Sequence, residues 1–234
     1  MRFGIRHVSV AAVATAVLAA GACGGSGSGS GSAKKLTADQ ISSLLLTDKD
    51  QPGWQFSADS DDKTTTDYPV TLPGAGSACE SIDNAENVLS TKYGTTVNVL
   101  RTLLDPTGSG SGMLYDDVAV LPSSAKAAAV ISDLAAALKG CQSYTDGKGD
   151  SSFLVTVNAN SPVPSTGHVS FTDYMTGGSH NAMDITDMVQ VGDAVVRIAF
   201  VGTATHDTAA LQQLAATVSR LSEAQISRLK AAES

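Results

Sequence analysis

The sequence predicts an α+β domain. One antiparallel sheet of about five to seven strands is covered, mostly on one face, by about three longer helices, with one disulfide. Three observations lead there. A helix–strand–strand–helix run lies between Cys79 and Cys141. Four further β-rich segments follow it, the last three separated by short glycine turns. The chain then closes on a long stretch with apolar residues at helical spacing.

The chain opens with Arg2 and Arg6 and carries no acidic residue before Asp39. Residues 8–20 are an apolar run of Ala, Val and Leu, too short to span a bilayer and of the length of a signal-peptide core. It ends Ala20-Gly21-Ala22-Cys23. Small residues directly before a cysteine resemble a bacterial lipobox, in which Cys23 is lipidated and becomes the mature N-terminus. Leu18 sits two positions upstream of the usual leucine, and Ala20 takes its place. Ala20-x-Ala22 also suits ordinary signal peptidase, which would release a secreted protein. Two features favour the lipid anchor. Cys23 has no obvious cysteine partner, and residues 24–32 are an unbroken Gly/Ser tether. The expected organisation is a signal peptide over 1–22, a lipidated cysteine and tether over 23–35, and one domain over 36–234. Loss of 1–22 removes two arginines and no acid, so the formal charge moves from −8 to −10. So acidic a domain is a poor partner for nucleic acid or an anionic membrane face.

Within the domain, Leu36-Thr37-Ala38-Asp39-Gln40-Ile41 reads as a capping box with Leu36 and Ile41 as its hydrophobic staple. Pro52-Gly53 ends that short helix, and Trp54 and Phe56 begin an extended stretch. Asp59, Asp61 and Asp62 open a polar segment running to Asp67. It lacks the turn glycine and terminal glutamate of a calcium loop, so a solvated loop is expected.

Ser77-Ala78-Cys79-Glu80 matches a second capping box, followed by an apolar stripe of Ala78, Ile82, Ala85 and Leu89 that Gly94 ends. Val97–Leu104 and residues 113–120 are rich in β-formers, joined by a Gly/Ser turn. Pro122-Ser123-Ser124 opens the next helix, whose stripe is Ala127, Ile131, Leu134 and Leu138. Cys141 falls on that same face. Both cysteines then belong to helices packing on one sheet in an exported chain, so a Cys79–Cys141 bond is expected; two separate thiols are the alternative. The bond would close a loop of 62 residues, worth roughly 4 kcal/mol on chain-entropy grounds.

Beyond Cys141, Gly147-Lys148-Gly149 is a turn. Phe153, Val155 and Val157 alternate with Leu154, Thr156 and Asn158 as a strand. Residues 168–175 form another, with Val169 and Phe171 on one face and Tyr174 on the other. Residues 182–191 and 194–201 pair through a Gly192-Asp193 hairpin turn. The last of these strands is nearly all apolar and should lie inside the sheet. Asp207 caps a final helix carrying Leu211, Leu214, Val218 and Leu221.

This order of parts resembles the PknH-like extracellular domain family, sensor domains of mycobacterial receptor kinases and of stand-alone actinobacterial lipoproteins. The residues carrying the resemblance are Leu44-Leu45-Leu46, Cys79 after an acidic loop, Val118-Ala119-Val120-Leu121-Pro122-Ser123 leading into an alanine-rich helix that ends at Cys141, and Asp193-Ala194-Val195-Val196-Arg197-Ile198 before a closing Ala/Leu helix. It spans residues 36–221. The family commonly has a second disulfide in the later sheet; this chain has no cysteine after Cys141, and the family's kinase and transmembrane helix are absent. The resemblance implies a disulfide-stabilised, sensor-like fold with a ligand cleft outside the membrane.

No hydrolase elbow, zincin helix or P-loop is present. The mature histidines are His168, His180 and His206. His180 and Asp184 share the face of a predicted strand, too far apart for a compact zinc site. Trp54, Tyr68, Tyr93, Tyr115 and Tyr174 are candidates to line an apolar cleft, against the ordinary alternative that they are core. The expectation is therefore a non-catalytic, lipid-anchored ligand-binding or sensor domain without cofactor or metal. Its partners would be the membrane through the anchor, and a small apolar molecule, a cell-wall fragment or an envelope protein. The alternatives are an envelope hydrolase built on an unrecognised Ser/His site, and a structural surface lipoprotein without ligand.

Overall fold

The computed structural model describes residues 35–56, 61–64, 71–72, 74–88, 90–105, 112–146, 152–159, 167–177 and 180–234. The signal peptide, Cys23, the tether, Asp59, Tyr68 and the Gly147 turn lie outside them. Five helices occur among the described residues: α1 (Ala38–Leu44), α2 (Ser77–Glu86), α3 (Ser90–Tyr93), α4 (Ser124–Gly140) and α5 (Thr208–Glu233). Three of these are long, as expected; α1 and α3 are a few residues each. Seven strands form one antiparallel sheet: β1 (Val97–Leu104), β2 (Gly112–Val120), β3 (Ser143–Asp146), β4 (Phe153–Ala159), β5 (His168–Gly177), β6 (His180–Val191) and β7 (Ala194–Thr203). Their order is β1-β2-β7-β6-β5-β4-β3. Only the short edge strand β3 escapes the sequence patterns, because four residues are too few to show a period.

The helices cover both faces of the sheet, not mostly one. Strand side chains alternate, and the buried residues of β2, β6 and β7 divide between two cores, while those of β1 lie in one and those of β4 in the other. One core joins α2 and α4 to Ala119, Val195, Met188, Phe171 and Val155. The other joins α1 and α5 to Val118, Val196, Ile198, Met183 and Ile185. The interior strand β7 feeds both, which is why its sequence is nearly all apolar.

Local signals behave unevenly. Thr37 and Gln40 form the reciprocal capping box, and Leu36 and Ile41 are both buried. Ser123 and Asp207 each accept a backbone N–H in the first turn of α4 and α5. The Ser77–Glu80 box does not form. Gly76, at φ 83°, is the N-cap of α2, and Ser77 is already helical. Glu80 instead accepts the Leu72 N–H at 3.0 Å, so its carboxylate ties the arriving chain to the first turn of α2. Cys79 and Cys141 are joined, with Cα atoms 5.0 Å apart.

The acidic segment near Asp61 is not solvated throughout. The Asp61 side chain is fully buried and pairs with Arg101, Nη2 to Oδ2 being 2.7 Å. Arg101 also donates to the carbonyls of Ser42 and Leu46, at 2.9 and 3.1 Å. One guanidinium thus satisfies the end of α1 and a buried acid together.

Candidate functional site

Two constellations stand apart from ordinary core, one on each face of the sheet.

On the α5 face, a groove of about 350 Å³ runs between α5 and the ends of β2 and β7. Its walls are Leu114 and Phe200 from the sheet, Leu214, Val218 and Leu221 from α5, and Trp54 from the loop after α1. Gln51, Gln213 and Thr217 supply its polar edge. Among the described residues no charged side chain lines it. Trp54 and Phe200 meet edge to face, 6.1 Å between centroids. The loop bearing Trp54 is tied to α5 by two arginines. Arg220 donates to the Asp50 carbonyl at 3.1 Å and to Gln51 Oε1 at 2.8 Å. Arg228 pairs with the Asp50 carboxylate and donates to the Leu45 carbonyl at 3.2 Å. Gly112 makes room for the rings, since a Cβ there would lie 2.9 Å from Phe200 Cε2 and 3.1 Å from Trp54 Cη2.

On the α2 face, five buried carboxyl groups surround one guanidinium. Asp83 and Glu86 come from α2, Asp117 from β2, Asp173 from β5 and Asp184 from β6; Arg197 comes from β7. Register brings them together, because Asp117 lies opposite Arg197 and Asp173 opposite Asp184. Arg197 pairs with Glu86. The Thr186 hydroxyl sits 3.3 Å from Glu86 Oε1 and 3.0 Å from Asp184 Oδ1. Burial, reinforced by Glu86, pushes Asp83 and Asp184 up to about 7, and burial pushes Asp117 up to about 6. Burial together with Glu86 and Asp184 holds Asp173 well above the usual carboxylate range. Burial alone would lower Arg197, but Glu86, Asp184 and Asp117 raise it further. Among the described residues no group of His, Cys, Asp or Glu has the arrangement to hold a metal ion.

The singled-out residues scatter. Trp54 lines the groove. Tyr93 is core, its hydroxyl donating to Asp133 at 2.9 Å. Tyr115 borders the carboxyl cluster, its ring 6.0 Å from the Arg197 guanidinium carbon. Tyr174 stacks on His206 at 5.7 Å. His168 pairs with Asp187 on the opposite face from the cluster. His180 begins β6, so the three histidines are dispersed over separate strands and a loop. The carboxyl cluster was not anticipated. Its signal was present in charged residues at Asp117, Asp173, Asp184 and Arg197 within otherwise β-forming runs, but only register shows that they meet.

No family model matches the chain, and no curated protein matches it. Among solved structures, the chain is similar to the crystal structure of the extracellular domain of PknH from Mycobacterium tuberculosis. The identity is 16%, the TM-score 0.59, and the match covers 82% of this chain and all of that one. At that identity the likeness is one of fold.

Proposed function

We propose that this chain is an extracytoplasmic, non-catalytic binding module of sensor type, held at the outer face of the cytoplasmic membrane through Cys23. Its ligand is a small, uncharged, largely apolar molecule lying in the groove against α5. The observation that carries this reading is the groove's lining: apolar walls, an aromatic pair at one end and, among the described residues, only neutral hydrogen-bonding groups at its edge. A charged ligand would lose its hydration there without gaining a partner. At about 350 Å³ the groove is at the small end of ligand sites. The fold likeness to an extracellular domain supports the location, as does the lipobox-like run before Cys23. Support for a non-catalytic role comes from the placement of the histidines, since His168, His180 and His206 lie on β5, on β6 and in the loop before α5.

Trp54 is the chain's single tryptophan, so it reports on the groove without labelling. Titration with monolauroylglycerol below its micelle concentration should give a saturable change in Trp54 emission. The change should vanish when Leu214→Trp fills the groove, scored by quenching from a dansyl-labelled analogue. No saturable change in the unaltered chain would overturn the groove as ligand site and leave the structural-lipoprotein alternative. Mass measurement of the native protein from membrane fractions tests the anchor: the lightest species should begin at lipidated Cys23.

A further inference from the structure

The carboxyl cluster beneath α2 plays no part in the groove and stands on its own observations. Two of its oxygens, Asp117 Oδ1 and Asp173 Oδ1, accept no hydrogen bond among the described residues, though both side chains are more than nine-tenths buried. A buried carboxylate oxygen without a donor is costly, whereas a protonated carboxyl brings its own donor and can share it with a neighbouring carboxylate. Five carboxyls face one guanidinium, so counter-charge is short. The charged and titratable groups that act on it are Asp83 and Glu86 from α2, Tyr115 and Asp117 from β2, Tyr144 and Asp146 from β3, Asp173, Asp184 and Arg197 from β5, β6 and β7, and Asp62 beyond β1; among the described residues α4 and β4 supply none.

What the cluster holds is the end of one helix. The start of α2 is bonded to the end of α4 through Cys79 and Cys141. Its last turn is seated by Glu86 on Arg197 and Thr186. Directly after that turn, Val88 has φ 44°, an unfavourable backbone for a β-branched side chain. Val88 is buried, and Thr95 Oγ1 donates to its carbonyl at 2.8 Å. A strained residue persists only where its surroundings over-determine it.

We propose that this cluster is a proton-binding site: protons shared among Asp83, Asp117, Asp173 and Asp184 keep Glu86 seated on Arg197, and their loss frees the last turn of α2 and Val88 while the disulfide keeps the first turn in place. The raised affinities for protons put the transition near neutrality. Below it the cluster carries little net charge. Above it unpaired carboxylates repel Glu86, and the turn that carries both Asp83 and Glu86 is the mobile partner.

The test is hydrogen exchange on the full mature chain at pH 5.5 and pH 8.0, corrected for the intrinsic rate. Peptides covering residues 82–88 should lose protection by about tenfold at the higher pH, the effect of one proton linked over one pH unit. Peptides from α5 should not change. In the Asp173→Asn, Asp184→Asn double variant the protection of 82–88 should no longer depend on pH. Equal corrected protection of 82–88 at both pH values in the unaltered chain overturns the proposal. So does a double variant with the original pH dependence. Should that variant fail to fold, carboxyl-carbon NMR titration of the unaltered chain decides: Asp83 and Asp184 titrating below about pH 5, as ordinary carboxylates do, would sink it.

Discussion

At the residue scale, the two arginines of the sheet do opposite jobs. Arg101 meets a fully buried acid and two carbonyls, and its charge also acts on Asp116, which lies opposite it on β2 with one oxygen, Oδ1, unpaired among the described residues. Removing it strands Asp61 in a dry site, and Arg101→Met should cost about 3–5 kcal/mol in urea unfolding. The half-exposed pair of Lys92 with Asp133 gives the contrast, since Lys92→Met should cost no more than about 1 kcal/mol. Arg197 is outnumbered by carboxyls, which is why its surroundings hold protons. Gly112 shows how one missing Cβ shapes a site. Gly112→Ala would press on Phe200 and Trp54, so Trp54 emission should shift while the unfolding transition remains cooperative. An unshifted spectrum would mean that the rings give way freely.

At the element scale, α2 is held chiefly by tertiary ties. It has no side-chain N-cap, and it is held by a disulfide at one end and a polar cluster at the other. Cys79→Ala with Cys141→Ala should therefore cost roughly 4 kcal/mol in stability, with the exchange of α2 rising more than that of α5. The capped helices behave more ordinarily. Asp207→Ala should lower stability by about 1 kcal/mol, measurable by urea denaturation. Helix stripes and strand alternation were legible because they depend on neighbours in sequence. The Ser77 box misled because Gly76 takes the cap position and Glu80 answers to Leu72, a competition visible only once the incoming chain is placed.

For the whole molecule, the buried acids set how stability follows pH. Asp83, Asp116 and Asp184 keep their protons to about 7 in the folded chain and Asp117 to about 6, each chiefly through burial. Unfolded, they release them near 4. Between those values the folded state binds more protons, so stability falls as pH rises from about 4 to about 7. His168, raised by its hydrogen bond to Asp187, adds a loss of the same sign as pH climbs through its folded value. Asp133 is lowered, first by its hydrogen bond to Lys92. Asp50 is lowered because the Thr47 N–H and Arg228 outweigh its burial. Their contribution is lost only in acid below about 4. The melting temperature should accordingly be about 5 °C or more higher at pH 5.5 than at pH 8.0. A flat or opposite trend would refute the protonated cluster. The amino-acid sequence by itself determined the α+β class, the extent of the main strands and helices and the interior place of β7, and made the Cys79–Cys141 bond the expected one of two alternatives. All of these follow from short-range periodicity, capping chemistry and the run of apolar residues. Only the tertiary structure decided that helices cover both faces, that Asp61 is buried, and that a neutral groove and an acidic cluster lie back to back across one sheet. Those depend on strand order and register, which set residues far apart in the chain side by side on one face and leave no mark on neighbouring positions in the sequence.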